Sequence, residues 1–460
     1  MAIAAGIFRQ YDIRGIVGRD LTAEAARAIG VAYAAYLDES QPDWRGGGRA
    51  IVVGRDNRPS GDALRGALVD GLVSSGVDVV DIGIVPTPLT YWSLHHLPVA
   101  GGIQITGSHN PPEYNGFKLS LGTASMHGRA LQRLLALIQQ GARPKGTGRV
   151  RHEEVVAPYI DDVVRRIGRL SRPIRAVYDC GNGAGSLVAP QLFERLGLQA
   201  RGLFCESDGT FPNHHPDPTV PENLEALITA VRADGAEIGL AFDGDADRLG
   251  VVDEQGEIVW GDRILILYAR DVLARTGRGQ PIIFDVKCSQ ALSDEITRAG
   301  GHPVMWRTGH SLIKDKMKES RAPLAGEMSG HMFFSEGFYG HDDALYGAAR
   351  LLRIVADARQ TVRELLSDVP ALVATPEIRI DVAEEEKFAL VDRAVRHFRT
   401  RHNVIDVDGV RVLFGDGWGL IRASNTQPVL VARYEAPTPE RLAAIRGEME
   451  GWLRSQGVRI

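Results

Sequence analysis

The chain has 460 residues, of which 44% are hydrophobic and 24% charged, and a formal net charge of -5, a composition typical of soluble globular proteins. This charge favours neither a nucleic-acid partner nor a membrane surface, and the sequence contains no signal peptide and no apolar run of transmembrane length. The scattered Cys180, Cys205 and Cys288 argue against a disulfide framework or a zinc site and favour a reducing, cytoplasmic setting.

The first predicted unit alternates strands with an amphipathic helix. The stretch "RAIVVGRD" predicts a strand, "SGDALRGALVDGLVSSG" a helix that Ser60 can cap, and "VDVVDIG" another strand. A further strand, "VAGGIQI", leads straight into "TGSHNPPEYNGFK", which runs from Thr106 to Lys118. Its glycines and prolines predict an exposed loop.

Two further units repeat this order at a period of roughly 100 residues. The second opens with the strand "IRAVYD", passes a helix that starts near Pro221 and closes with the strand "EIGLAFD". The third opens with "PIIFDVK" and closes at "APLAGEMSGHMFF". A long helix follows it, and then a segment in which Thr361 and Glu364 have capping-box spacing.

The last ninety or so residues do not alternate in this way and predict a separate α+β domain. We therefore expect three related α/β domains with mixed sheets around a cleft and a C-terminal α+β domain that acts as its lid or wall. The predicted boundaries are 1–153, 154–257, 258–369 and 370–460. Because ligands of open α/β sheets bind at the carboxyl ends of strands, the three loops that follow the closing strands should converge on one cleft.

The second of these loops, "DGDADR", predicts a metal site. Asp243, Asp245 and Asp247 alternate directly after a strand, and a set of oxygen-only ligands favours a hard cation such as Mg²⁺. A calcium EF-hand begins in the same way, but Arg248 occupies the position that needs glycine and the flanks predict strands. A solvated acidic turn is the other alternative.

The first loop contains Ser108, which in isolation is typical of an ordinary turn residue. A hydrolase nucleophile elbow is not indicated, since "TGSHN" lacks the second glycine of that motif. Beside a Mg²⁺ site and the cation Lys118, however, a serine on a rigid loop is suited to carrying a phosphoryl group.

Two more polar loops favour a phosphorylated sugar as ligand. "RASNTQP" offers a guanidinium with hydroxyl and amide donors, as a phosphate cradle does, although a plain polar turn is equally consistent with it. "GEMSGH" offers Glu327 and Ser329 for sugar hydroxyls, or else forms a capped turn. A dinucleotide site at "GNGAGS" is disfavoured because Ser186 replaces the last glycine of the fingerprint.

These four stretches, in this order, resemble the α-D-phosphohexomutase superfamily, specifically its bacterial phosphomannomutase/phosphoglucomutase group. The resemblance covers nearly the whole chain from "FRQYDIRG" onward. It implies that phosphorylated Ser108 passes its phosphoryl group to a hexose 1-phosphate. A glucose or mannose 1,6-bisphosphate then turns over in the cleft and returns the other phosphoryl group, which leaves the 6-phosphate.

The resemblance also implies a role for individual side chains. The implied Mg²⁺ ligands are Ser108, Asp243, Asp245 and Asp247. The residues implied in phosphoryl and proton transfer are Lys118, Arg248, Arg14, His109 and His331. Which of them is the general base is not assigned. The implied sugar contacts are Tyr11, Lys287, Glu327, Ser329 and the loop Thr308–Ser311, which includes Gly309 and His310. The residues implied to contact the non-reacting phosphate are Arg422, Ser424, Asn425 and Thr426.

Substrate choice and rival functions stay open at this point. Met328 resembles the mannose/glucose group rather than the glucosamine mutases, and Ala246 stands where relatives often have glycine. The alternatives are a phosphoglucosamine mutase, a Mg²⁺-dependent phosphatase, which an apparent lack of histidine ligands near the acidic loop disfavours, and a non-catalytic phosphosugar-binding protein. We expect a monomer whose partners are small phosphosugars.

Overall fold

The computed structural model describes residues 3–44, 50–425 and 428–460. Across these ranges the strands form four sheets that follow one another along the chain. The first three sheets mix parallel and antiparallel pairs, whereas every pair in the fourth is antiparallel. The predicted fold class is therefore confirmed. None of the helices in these ranges is long and apolar enough to cross a bilayer.

The first unit has a sheet with helices on both faces. Its helices are α1 (Ala23–Ser40), α2 (Gly61–Val73), α3 (Thr87–His96) and α4 (Arg129–Gln139). Its strands are β1 (Ile13–Ile16), β2 (Ala50–Arg55), β3 (Val79–Ile84), β4 (Val99–Ile105), β5 (Tyr114–Leu121), β6 (Ala124–Ser125) and β7 (Val150–His152). The order is β1-β5-β4-β2-β3-β7, with β6 beside β5. Strands β2 and β4 are nearly continuous apolar runs because both of their faces are covered.

The second and third units are smaller sheets of the same kind. The second contains α5 (Val156–Ile167), β8 (Arg175–Asp179), α6 (Ala189–Leu196), β9 (Gln199–Leu203), α7 (Glu225–Asp234), β10 (Ile238–Phe242), β11 (Leu249–Asp253) and β12 (Ile258–Val259). The third contains α8 (Gly261–Thr276), β13 (Pro281–Asp285), α9 (Gln290–Arg298), β14 (His302–Trp306), α10 (His310–Ser320), β15 (Leu324–Gly326), β16 (Met332–Phe334), α11 (Ala344–Ala358) and α12 (Val362–Leu365). Their orders are β12-β11-β10-β8-β9 and β14-β13-β15-β16.

The fourth unit is an antiparallel sheet with two long helices. It contains β17 (Val373–Ala374), β18 (Ile378–Asp381), α13 (Lys387–Phe398), β19 (Asn403–Ile405), β20 (Val410–Leu413), β21 (Trp418–Ala423), β22 (Val429–Ala436) and α14 (Pro439–Ser455). The order is β17-β22-β21-β20-β19, and β18 also pairs with β22.

One hydrophobic core runs through the first three units, with members from Ala50 to Val369. The fourth unit has its own core, formed between its sheet and helices α13 and α14. The first three units therefore share a core, and the fourth unit packs around a core of its own.

The fourth unit docks on the third through a small apolar cluster and a buried arginine. The cluster consists of Val286, Trp418 and Leu420. Arg411 lies over the Trp418 ring and donates through Nη1 to the carbonyl oxygens of Val286 at 2.7 Å and Cys288 at 2.6 Å. These bonds fix the segment after β13, which carries Lys287, against the last sheet.

Two local predictions have opposite outcomes. The capping box is confirmed, since the Thr361 hydroxyl accepts from the Glu364 N–H and the Glu364 carboxylate accepts from the Thr361 N–H. The prediction that the Ser60 side chain caps α2 is wrong. That hydroxyl accepts instead from Asn115 Nδ2 at 2.9 Å and makes no capping bond to α2.

The predicted exposed loop after β4 is shorter than expected. Strand β5 begins at Tyr114, so Lys118 lies in a strand rather than in the loop. Gly116, which indicated a turn, is instead required by close packing, since a Cβ atom there would lie 2.2 Å from the carbonyl oxygen of Ile13 in β1.

Candidate active site

The loop that carries Ser108 follows β4 and lies deep in the cleft. Ser108 is 2% exposed, so the expectation of an exposed serine is wrong. Its φ is +49°, a left-handed conformation that residues other than glycine seldom adopt. Its backbone N–H donates to Thr106 Oγ1 at 2.8 Å. Such strain persists only where neighbours hold the residue in place.

Arg58, which the sequence did not indicate as a site residue, is that support. Its side chain is fully buried behind the loop and pairs with Asp56 at 3.1 Å. Its two terminal nitrogens donate, at 2.6 to 3.1 Å, to the carbonyl oxygens of Ser108, Asn110, Pro111 and Tyr114. The same Asp56 carboxylate accepts from Thr106 Oγ1 and the Gly107 N–H. Both residues follow β2, so the rule that ligand sites lie at strand ends could have identified them.

The three aspartates of the acidic loop lie between β10 and β11 and are fully buried. One carboxylate oxygen from each lies within 4.8 Å of the others. Asp243 Oδ1 accepts from the backbone N–H groups of Asp247 at 3.0 Å and Arg248 at 3.1 Å. The antiparallel strands on both sides exclude an EF-hand, which needs flanking helices.

The charge balance of this loop fits a hard divalent cation. Burial, together with the charges of Asp247 and Asp245, raises the pKa of Asp243 well above its usual value. Asp245 Oδ1 and Asp247 Oδ1 are buried without a hydrogen-bond partner. Converging carboxylate oxygens left unpaired away from water are stable when they coordinate a metal ion, and Mg²⁺ prefers this ligand type.

Ser108 and the acidic loop are in direct contact. Ser108 Oγ donates to Asp243 Oδ2 at 3.0 Å, and Thr106 Oγ1 lies 3.1 Å from Asp245 Oδ2. Gly244 allows this approach, because a Cβ atom there would lie 2.5 Å from the carbonyl oxygen of Ser108. The hydroxyl is thus adjacent to the carboxylates that could hold a cation.

Cationic side chains surround the contact between Ser108 and the acidic loop. Lys118 Nζ donates to Asp245 Oδ2 at 3.0 Å and to Asp247. Burial alone would lower the pKa of Lys118, but the two carboxylates raise it well above its usual value. Burial would raise the pKa of Asp245, but the charge of Lys118 and the hydrogen bonds that this carboxyl accepts from Thr87 and Lys118 lower it. Arg14 Nη1 donates to Asn110 Oδ1 at 2.6 Å and so braces the serine loop.

Two histidines complete this side of the cleft. His109 Nδ1 lies 3.2 Å from Ser108 Oγ, and burial followed by the charge of Arg248 lowers the pKa of His109 well below its usual value. Arg248 Nε donates to His331 Nε2 at 3.0 Å. His331 Nδ1 lies 3.6 Å from Asp247 Oδ1, so the expectation that no histidine lies near the acidic loop is wrong. The turn between β15 and β16 places it there.

The third unit contributes a carboxylate next to a glycine turn. Glu327 Oε1 accepts from the Gly309 N–H at 2.6 Å, and burial raises the pKa of Glu327. Gly309 has a φ of +130°, and a Cβ atom there would lie 2.6 Å from the Tyr11 ring. The His310 ring stacks at 5.8 Å on that of His331. Ser329 is partly exposed in the turn between β15 and β16.

Lys287 lies at the boundary between the third and fourth units. Its buried Nζ donates to Glu377 Oε2 at 3.3 Å and lies 3.8 Å from Asp285 Oδ2. Burial opposes the charge on this lysine, but Glu377 and Asp285 together raise its pKa. The ammonium is therefore held in its charged form at the edge of the cleft.

Tyr11 connects the first, third and fourth units. Its hydroxyl donates to the carbonyl oxygen of Thr308 at 2.7 Å and accepts from Asn425 Nδ2 at 2.7 Å. Burial raises the pKa of Tyr11 to about 12, so the phenol stays neutral. Asp408 Oδ2 accepts hydrogen bonds from Arg422 Nε at 3.0 Å and from the Thr308 N–H at 3.1 Å.

The predicted phosphate cradle on the fourth unit is largely buried. Arg422 and Ser424 are 6% and 7% exposed, and the Ser424 N–H donates to the carbonyl oxygen of Val429 at 3.0 Å. Thr426, predicted as part of this cradle, lies outside the described residues. Asp408, which orients Arg422, was missed because it lies in an ordinary polar turn before β20.

Comparison with known proteins gives a consistent picture along the whole chain. The four domain models of phosphoglucomutase/phosphomannomutase match residues 5–142, 157–256, 260–373 and 377–451.

Individual relatives belong to the same family as these domain models. The chain is 46% identical to the phosphomannomutase/phosphoglucomutase of Pseudomonas aeruginosa, over 98% of this chain and 96% of that protein. It is 45% identical to the phosphoglucomutase of Neisseria gonorrhoeae, over 99% and 98%. A crystal structure of a phosphoglucomutase/phosphomannomutase family protein from Burkholderia thailandensis superposes with a TM-score of 0.90 at 44% identity, covering 99% of this chain and 98% of that one. The chain therefore belongs to the phosphoglucomutase/phosphomannomutase family.

Proposed function

We propose that the protein interconverts hexose 1-phosphates and hexose 6-phosphates, with mannose and glucose as the sugars, through a phosphoserine at Ser108. The observation that carries this proposal is the contact of Ser108 Oγ with Asp243 at 3.0 Å inside a buried ring of carboxylates and cations. A serine that only formed a turn would need neither the acidic loop nor the cations around it.

The reaction begins with a phosphoryl group on Ser108. It passes to the free hydroxyl of a hexose 1-phosphate and gives a hexose 1,6-bisphosphate. This intermediate reorients in the cleft and returns its other phosphoryl group to Ser108 Oγ, which leaves the hexose 6-phosphate. Glucose or mannose 1,6-bisphosphate therefore serves as both intermediate and activator.

Asp243, Asp245 and Asp247, with the phosphorylated Ser108, would hold Mg²⁺. When bound, the ion supplies positive charge next to the transferring phosphoryl oxygens. Lys118 and Arg248 add fixed positive charge at the same place, since both are buried and stay protonated. Arg14 braces the serine loop through Asn110.

A proton must leave the attacking sugar hydroxyl, and two histidines lie close enough to the reacting groups to accept it. His109 is neutral because of its lowered pKa and lies next to Ser108 Oγ. His331 is oriented by Arg248 on one ring nitrogen and lies 3.3 Å from Asp342 Oδ2 through the other. Lys118 is a poor base here, since its pKa is raised.

The opposite end of the cleft fits the rest of the sugar phosphate. Glu327 and Ser329 would bind the 3- and 4-hydroxyls, while Lys287, Tyr11 and the loop with Gly309 and His310 would line the ring. Arg422, Ser424 and Asn425, with Thr426, would hold the phosphate that does not react. Such a cradle has to grip either phosphate of the bisphosphate in turn, which a separately packed fourth unit permits.

We infer that the chain works as a cytoplasmic monomer; its cysteines are free thiols, as in a reducing compartment. Sedimentation velocity would test the monomer.

We also propose a division into four domains. The boundaries predicted from the sequence are 1–153, 154–257, 258–369 and 370–460, and we move the second boundary to follow Val259, because β12 (Ile258–Val259) pairs with β11.

The test is a ³¹P NMR time course with Mg²⁺, catalytic glucose 1,6-bisphosphate and either mannose 1-phosphate or glucose 1-phosphate. We expect both to become 6-phosphates without release of inorganic phosphate. Inorganic phosphate as the product would instead indicate a phosphatase. Conversion of glucosamine 1-phosphate alone would indicate a phosphoglucosamine mutase. No turnover of any sugar would leave a phosphosugar-binding protein.

A further inference from the structure

Two cysteines outside the cleft lie unusually close together. Cys180 follows β8 and Cys205 comes two residues after β9, and these two strands are parallel neighbours. Their Sγ atoms are 3.5 Å apart. Cys180 is fully buried, whereas Cys205 is partly exposed. No step of the proposed reaction uses either thiol.

The backbone around the pair holds the two thiols face to face. The Cys180 N–H donates to the carbonyl oxygen of Leu203 at 3.1 Å, and the Asn182 N–H to that of Phe204 at 2.9 Å. Gly202 leaves the space that Cys205 Sγ occupies, since a Cβ atom there would lie 2.6 Å from that sulfur. A disulfide needs a sulfur separation of about 2.05 Å, so the two atoms must approach by about 1.5 Å.

We propose that Cys180 and Cys205 are a modification site that forms a reversible intramolecular disulfide with a small disulfide oxidant such as glutathione disulfide. The partly exposed Cys205 thiolate attacks one sulfur of glutathione disulfide and releases one glutathione. Cys180 then attacks Cys205 Sγ in the mixed disulfide and releases the second glutathione. Two protein thiols are oxidised, one glutathione disulfide is reduced to two glutathiones, and the protons of the cysteines leave with them.

The pair lies directly behind both catalytic loops. The Ala184 N–H donates to the carbonyl oxygen of Gly244 in the acidic loop at 2.9 Å. The carbonyl oxygen of Asn182 accepts from Asn57 Nδ2 at 2.7 Å, next to Arg58. A shift of the Cys180 segment therefore reaches Ser108 and the aspartates. Since a misplacement of about 1 Å can cost on the order of 10²-fold in rate, we expect disulfide formation to slow turnover by about tenfold or more. This consequence rests on the proposed function, whereas the disulfide does not.

The experiment treats the native protein with glutathione disulfide, denatures it in N-ethylmaleimide and measures labelled thiols and intact mass. We expect the labelled cysteines to fall from three to one, the unlabelled chain to lose about 2 Da, and the peptides of Cys180 and Cys205 to be linked. Dithiothreitol should reverse all of these changes and restore turnover.

The matched variants are Cys205→Ser, which should keep its remaining thiols free, and Cys288→Ala, which should still form the link. A stable glutathione adduct on Cys205, or three free thiols after treatment, would overturn the proposal. A linked pair with unchanged turnover would overturn its connection to the catalytic loops. If the reduced protein has no mutase activity but still forms the disulfide when it is treated with glutathione disulfide, this result would count against the proposed function alone.

Discussion

At the scale of single residues, the site depends on a serine held in an unfavourable conformation. The left-handed φ of Ser108 points its hydroxyl at Asp243 while its carbonyl oxygen turns toward Arg58. The planar guanidinium can reach four carbonyl oxygens at once, which an ammonium cannot. The catalytic geometry is thus maintained by a residue that does not touch the substrate in our account.

The first prediction concerns Arg58→Lys. Lysine has three donors where arginine has five, so the variant loses about two charge-assisted hydrogen bonds worth about 1.5 to 3 kcal/mol each. We therefore expect the free energy of unfolding to fall by at least about 3 kcal/mol and turnover by at least about tenfold. Urea denaturation and steady-state kinetics measure the two effects. Arg19→Lys, in an exposed pair with Asp20, is the control and should leave both unchanged. Wild-type turnover in Arg58→Lys would contradict this role.

The second prediction concerns the pH dependence of stability at His214. Its Nε2 lies 3.0 Å from Asp179 Oδ2, and although burial opposes it, this carboxylate raises the pKa of His214. A raised pKa in the folded state stabilises the protein fully below the unfolded-state pKa of about 6.5, and this contribution disappears as the pH rises through the folded-state pKa. His214→Gln should therefore destabilise the protein more at pH 5.5 than at pH 8.5, as measured by urea denaturation. An equal loss at both pH values would refute this assignment.

At the scale of elements, the loops after strands were easier to predict than the strands that support them. The runs "VAGGIQI" and "EIGLAFD" are apolar and end in chemically distinctive residues, so both strand and loop were apparent. Strand β5 was missed because Gly116 and the preceding prolines mimic a turn. The contacts of Arg58 were also not predictable, since they join residues some fifty positions apart through backbone carbonyls that any sequence has.

The third prediction tests how closely the serine loop and the acidic loop pack. In Gly244→Ala the new Cβ atom would lie 2.5 Å from the carbonyl oxygen of Ser108, so the serine must move away from Asp243. We expect turnover to fall on the order of 10²-fold with an unchanged circular dichroism spectrum. Gly66→Ala on α2 meets nothing within 4 Å and is the control, with unchanged turnover and a gain in stability of at most about 1 kcal/mol. Normal turnover in Gly244→Ala would mean that the two loops need not touch.

At the scale of the whole molecule, the chain combines a three-unit body with a separately packed fourth unit. The shared core keeps Ser108, the acidic loop and Glu327 in fixed relation. The fourth unit contacts this three-unit body through Asn425 at Tyr11, Asp408 at Thr308 and the docking cluster with Arg411. This division suits a reaction in which the intermediate turns over while the reacting groups stay still.

The fourth prediction concerns Tyr11→Phe, which removes the hydroxyl that connects Thr308 and Asn425. Two hydrogen bonds worth about 1 kcal/mol each are lost between units, so we expect KM for the hexose 1-phosphate to rise roughly 30-fold with kcat nearly unchanged. Steady-state kinetics, with Tyr36→Phe on α1 as control, measure the effect. An unchanged KM, or a loss confined to kcat, would contradict a role in holding the third and fourth units together.

The most direct test of the central claim is to locate the phosphoryl group on the protein during turnover. The enzyme is incubated with Mg²⁺ and glucose 1,6-bisphosphate, quenched in acid, digested and analysed by peptide mass spectrometry. We predict one phosphoryl group, on Ser108, that is replaced by an ¹⁸O-labelled one when hexose 1-phosphate with ¹⁸O in its phosphate is added, and that is absent in Ser108→Ala together with mutase activity. Full turnover with no phosphate on Ser108, or with phosphate on another residue, would contradict it.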